Sequence, residues 1–255
     1  MRTLLSTITT EDAYIDQFPF SAGMGNSART TRIISGNTEA LRDQLWDEPQ
    51  LELLGFSDLH QAYLGMFGRR FVDVLSAVSR SAIDQTDANG RTTLSWATMR
   101  GDDQVVAQLL RFGADPNRPD GKGYTSLHYS LYPYTTVCLQ QLLGAKADVE
   151  AKWEDSTALH LAIRLRDDSQ FSELLVAYGA DLESQDGVGR RPLHIAAEFD
   201  RSTQVSYLLR IGADFNAQDQ FGTSALSDAV CANSHDALRT LLKLPEFDIN
   251  VMNPE

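Results

Sequence analysis

Cysteine is scarce in this chain, with two in 255 residues, Cys138 and Cys231. So few, so far apart, exclude a disulfide framework and a zinc motif built on paired cysteines, and they fit a reducing compartment. Basic residues are also in short supply. The 22 Lys and Arg stand against 35 Asp and Glu, a net charge of −13. Such a chain is a poor match for nucleic-acid backbones, which are held by clustered cations. No apolar run approaches the roughly 18 residues that cross a bilayer, so no membrane insertion is expected. The opening MRTLLSTITTEDAYIDQF has no unbroken apolar stretch of the signal-peptide kind, and N-x-[ST] acceptors are absent. The expected address is intracellular, cytoplasmic or nuclear. What is present is enough apolar residue, 42%, for a sizeable core.

The chain repeats itself. The strings GADPN, KADVE, GADLE, GADFN and EFDIN place aspartates at 115, 148, 181, 214 and 248, at intervals of 33, 33, 33 and 34 residues. TTLSWA, TSLHYS, TALHLA, RPLHIA and SALSDA keep the same period, as do the leucine pairs from Leu109–Leu110 to Leu241–Leu242. Each unit reads as a turn and two short antiparallel helices. DANG, DGKG, DGVG and DQFG have turn composition. Thr92, Thr125 and Thr157 are placed to cap the first helix, and Pro192 suits a first helical turn. VVAQLL and QVSYLL put apolar residues on one face of the second helix, which Gly113, Gly179 and Gly212 then stop.

The period, the T-x-L-H-x-A string, the V-V-x-x-L-L helix and the G-A-D-x-N exit resemble the ankyrin repeat family over about residues 87 to 251. The resemblance implies an all-α solenoid of stacked turn–helix–helix units with β-hairpin-like tips. Its expected divisions are an N-terminal extension at 1–27, a degenerate capping unit at 28–51 and a divergent repeat at 52–86. Repeats at 87–119, 120–151, 152–185 and 186–218 follow, then a C-terminal capping repeat at 219–255. Asp228, where other units carry Trp96, Tyr129, Leu161 and Ile195, is expected on an uncovered final face.

His194 and Glu198, four apart on a helix, look at first like a catalytic or metal-binding pair. Yet His60, His128 and His160 recur at the same phase, and no carboxylate recurs with them. The histidine therefore reads as framework. GMGNSA, residues 23–28, has no strand or sheet to make it a dinucleotide loop. No cofactor or metal is expected, and no catalytic residue is assigned.

In ankyrin arrays the turn tips and first-helix ends line a concave groove. The variable residues there are Arg91, Arg100, Lys122, Tyr124, Tyr132, Trp153, Glu154, Arg164, Arg190, Glu198, Phe199 and Phe221. Five basic against two acidic positions predict the least acidic surface of the molecule. Aromatics with arginine are the composition of interaction hot spots. The first expectation is thus a scaffold or adaptor that binds a protein partner through an acidic segment. SLYPYTT (130–136) and IRLRDDSQ (163–170) break the repeat pattern and place the contact centre in the middle units. An enzyme using Arg164, Arg190 and Glu198 in a small-molecule pocket is the second expectation, with fold against it. Self-association through the first 50 residues is the third.

Overall fold

A computed structural model describes residues 54–65, 68–133 and 135–243. The expected extension at 1–27, the capping unit at 28–51, the GMGNSA stretch and the last residues of the C-terminal repeat lie outside that range. The described helices come in pairs. They are α1 (Asp58–Tyr63) with α2 (Phe71–Ala77), and α3 (Thr93–Met99) with α4 (Asp103–Arg111). Next come α5 (Ser126–Tyr129) with α6 (Val137–Gly144), and α7 (Ala158–Leu165) with α8 (Gln170–Ala177). The last are α9 (Pro192–Glu198) with α10 (Ser202–Arg210), and α11 (Ala225–Cys231) with α12 (His235–Leu241). First helices stack on first helices and second on second, giving one continuous core through Leu94, Leu127, Leu159 and Leu193.

The repeated strings now have causes. The Thr92 hydroxyl accepts from the Ser95 N–H, while Thr125 and Thr157 form capping boxes with His128 and His160. In each G-A-D-x-N exit the aspartate closes its own turn, as Asp115 Oδ1 does on the Asn117 N–H at 2.9 Å. Two residues on, the side chain reaches the next unit. Asn117 Oδ1 accepts from the Asp148 N–H at 2.7 Å, Glu150 from Asp181 at 2.9 Å and Glu183 from Asp214 at 2.8 Å. A rung of this kind satisfies a loop N–H and fixes the stacking distance in one bond.

At the other end the turn tips touch. Asn89 C=O accepts from the Gly121 N–H at 2.8 Å, and Val188 C=O from the Gln220 N–H at 3.2 Å. Gly90 has to be glycine, since its φ is +80° and a Cβ there would lie 2.5 Å from the Gly121 nitrogen. The unit at 152–185 differs. Its tip is a short antiparallel hairpin, β1 (Lys152–Trp153) and β2 (Ser156–Thr157), turned by Glu154 and Asp155 at φ 47° and 62°. Asp155 occupies the position of Gly90, Gly123 and Gly189. An L-residue there costs about 1 kcal/mol. Asp155→Gly should therefore raise stability by about 1 kcal/mol, read as a higher urea midpoint.

Candidate functional site

The histidines form a buried ladder. In each, Nδ1 meets the unit's own N-cap residue: Ser57 Oγ at 2.7 Å from His60, Thr125 Oγ1 at 2.9 Å from His128, Thr157 Oγ1 at 2.9 Å from His160, and the Arg191 N–H at 3.2 Å from His194. An Nδ1 that accepts leaves the proton on Nε2, which faces the following unit. His60, His160 and His194 donate to the carbonyls of Arg91, Arg190 and Thr223 at 3.1 Å each. His128 Nε2 is turned toward the Ala151 carbonyl without a bond of full geometry. Burial, the largest cause, holds His60 and His128 down to about 4 and lowers His160 and His194 as well. The rings are neutral struts. Among the described residues, no group of three or more His, Cys, Asp or Glu could hold a metal ion.

The variable residues divide into two regions. Toward the N-terminal side an aromatic cluster separate from the main core joins Phe56, Trp96, Met99, Tyr124 and Tyr129, with Tyr63, Tyr132 and Trp153 packed on it. Tyr124 stacks on Trp153 with centroids 4.3 Å apart. Arg91, expected at the surface, is 5% exposed and paired to buried Asp87 at 3.0 Å. It lies over Trp96 at 4.7 Å, and Trp96 Nε1 donates to the same Asp87 at 3.0 Å. Tyr124 is also buried, at 4%. Both are corrections to the expected open groove: large aromatics at neighbouring turn and helix positions roof them over. Arg100 lies over the Tyr63 ring at 5.5 Å, whereas Lys122, Glu154 and Arg164 are exposed.

Further along the array the surface opens. Arg190 bridges Asp186 at 2.9 Å and Glu198 at 2.8 Å, so its charge too is spent within the chain. Two of the five cations that made the groove basic are thereby neutralised. Phe199 and Phe221 are exposed, at 39% and 75%. Asp228 departs from expectation, for it is half-buried, with Oδ2 shielded and without a hydrogen-bond partner. Burial first, then the charges of Asp219 and Glu198, push its carboxyl up to about 6.

The two irregular loops serve each other. Helix α5 is a single turn, and the carbonyls after it lack helical partners. Arg166, from the loop after α7, donates to Leu131 C=O at 3.2 Å, Tyr132 C=O at 2.8 Å and Pro133 C=O at 2.7 Å. Its guanidinium sits over Phe171 at 4.6 Å. Asp167 in turn accepts from the Thr203 N–H and hydroxyl at 3.0 Å each, and buried Gln204 donates to the Asp168 carbonyl at 2.6 Å. Expected as a contact centre, this region is tied inward. Arg166 is the residue that sequence reasoning missed, because it sits beside an added residue that has no sibling in other units.

Stacked turn–helix–helix units, joined by histidine struts and bonded turn tips, define an all-α repeat solenoid. The ankyrin repeat family profile matches in three copies, at residues 59–152, 134–219 and 159–253. The chain belongs to the ankyrin repeat family, whose repeats are modules of protein–protein interaction. It is 35% identical over 133 residues to the transient receptor potential channel pyrexia of Drosophila melanogaster, covering 52% of this chain and 14% of that protein. With the nuclear factor NF-kappa-B p105 subunit of Gallus gallus it shares 30% over 161 residues, 61% of this chain and 16% of the other. The B-cell lymphoma 3 protein homolog of Mus musculus is 33% identical over 159 residues, 60% and 35% of the two chains. The chain thus spans about a third or less of these relatives. No helix among the described residues is long and apolar enough to cross a membrane.

Proposed function

We propose that the protein is a binding scaffold that holds a segment of a partner protein along its turn tips and first-helix ends. One observation carries this. Aromatic side chains at the turn tips (Trp153 and Phe221) and first-helix ends (Tyr132 and Phe199) of successive units keep part of their surface in solvent although the fold buries their neighbours. Rigid aromatics lose little side-chain entropy on binding and anchor interfaces out of proportion to their number. The array holds them in place beforehand, which lowers the ordering cost of association. Scarce cysteine and the acidic balance support an intracellular address. The basic-groove argument for an acidic partner segment weakens, since Arg91 and Arg190 are neutralised by Asp87, Asp186 and Glu198. Of the polar groups of the enzyme reading, Arg190 and Glu198 are paired with each other, and Arg164 stands exposed.

Panning a random peptide library against the full chain tests this reading. Selected peptides should lose on the order of tenfold in affinity for Phe199→Ala/Phe221→Ala. Both rings are exposed, so that variant should melt as the parent does. Failure to select any peptide, or affinity indifferent to both rings, would sink the groove reading.

A further inference from the structure

The second helices end alike. The C-cap residues of α4, α6, α8 and α10 are Phe112, Ala145, Tyr178 and Ile211, one every 33 residues, and α12 ends on Leu242. These helix ends close without help from the cap side chains. The Gly113 N–H bonds to Leu110 C=O at 3.1 Å and the Ala114 N–H to Leu109 C=O at 3.0 Å. Ala114, 6% exposed, makes the apolar contact that such an ending uses. Ala147, Ala180 and Ala213 repeat its bond at 3.0 Å each. Yet Phe112, Tyr178 and Leu242 stand 44%, 48% and 50% exposed, three of the eight large apolar side chains that the described residues leave in solvent. Scattered apolar residues on a surface are ordinary, but these return at one phase of the repeat.

The line they form is fixed and notched. Asn117 ties its first two units together, accepting from the Asp148 N–H at 2.7 Å and donating to the Lys146 carbonyl at 3.2 Å. The Glu150–Asp181 and Glu183–Asp214 rungs join the next units just past their caps. Between the Phe112 and Tyr178 positions the middle unit has only Gly144 and Ala145, and a Cβ on Gly144 would meet no neighbour within 4 Å. Exposed cations border the line: Arg111 before Phe112, Lys146 after Ala145, Arg210 before Ile211 and Lys243 after Leu242. None of the four enters an ion pair among the described residues, on a chain of net charge −13. The exit-loop carboxylates three residues past each cap, Asp115, Asp148, Asp181 and Asp214, are engaged by N–H groups of their own turns.

We propose that this line is a second docking surface, apart from the groove, for an acidic amphipathic helix of a partner protein. The helix lies across the ends of α4, α6 and α8. Its apolar residues recur every seven positions, a rise of about 10 Å, which matches the spacing of packed helices. A large apolar side chain sits over Gly144 and Ala145, and small ones pass over the two rings. Glu and Asp on its flank pair with Arg111 and Lys146, which sets the sign of the partner. A strand fits poorly, because about 10 Å spans three of its residues and turns every second contact away from the surface.

Panning a library of helical peptides on the full chain carrying Phe199→Ala/Phe221→Ala, which lacks the two exposed groove rings, tests this. Selected helices should be acidic, with apolar residues seven apart. Adding Phe112→Ser/Tyr178→Ser should lower their affinity on the order of tenfold. Arg111→Glu/Lys146→Glu should weaken them as much and flatten the salt dependence of binding. Gly144→Gln, which fills the notch and improves the helix, should block them while leaving the fold intact. All these side chains are exposed, so each variant should melt within a few degrees of the parent. Failure to select any helix, or helices that bind Phe112→Ser/Tyr178→Ser undiminished, overturns the proposal. A parent that sediments as a dimer, and becomes a monomer with Phe112→Ser/Tyr178→Ser, overturns it in favour of a second copy. The groove reading depends on other rings and stands or falls separately.

Discussion

Acidification from pH 7 to 4.5 should strip about 4 kcal/mol or more from the array, seen as a fall in its urea midpoint with the ladder histidines as the source. The sign follows from the rings' neutrality. Each is held below its unfolded value of 6.5, so the unfolded chain binds more protons between 6.5 and the folded value. Their stabilisation is fully present above pH 6.5 and is lost as pH falls through about 4. His60 and His128, both fully buried, each stand to lose about 2 kcal/mol by pH 4.5. His160 and His194 add to the loss in the same direction. Asp228 opposes it, because its raised carboxyl sheds an unfavourable charge as it protonates between about 6 and 3.8. The opposition is small: solvent reaches that carboxylate, which limits its share to about 1 kcal/mol. His128→Asn should flatten the pH dependence by one ring's worth. A stability that stays level between pH 7 and 4.5 would contradict the neutral-strut account.

Arg166→Ala should be the most damaging single change outside the hydrophobic core, at about 2–4 kcal/mol. It leaves the carbonyls of Leu131, Tyr132 and Pro133 without their shared donor, next to the fully buried Leu131 side chain. It also strips the cation from the Phe171 ring. Arg166→Lys should recover only part of the loss, because an ammonium cannot spread over three carbonyls as a planar fork does. Limited proteolysis should then cut within residues 130–136 in Arg166→Ala and spare the parent. A change in stability within about 0.5 kcal/mol would mean that the loop holds itself.

The fold was legible because its determinants are local and repeated. Thr92, Thr125, Thr157 and Pro192 act within a few residues of their own position, and the histidines, which also reach the next unit, recur at one phase, so aligned copies expose them all. The surface was harder to read. Arg91 and Tyr124 occupy positions that other units leave open, and only the packing of Trp96 and Tyr129 roofs them over. The signal was present, since an aromatic residue nine positions after a turn aspartate marks the roofed units. Arg166 and Asp228 gave no such warning. One sits beside an unrepeated insertion, and the other matters through a donor that its own unit lacks.

The histidine struts have a gap in their sequence. At the equivalent position in the unit at 87–119 stands Ser95, whose hydroxyl turns back to its own Thr92 at 3.2 Å. The seam between that unit and the next is held instead by the aromatic cluster of Trp96, Met99 and Tyr124. Protons that loosen the other seams have nothing to grip at this one. In mild acid the array should part like a book at worn bindings, with the leaves on either side of Ser95 the last to separate.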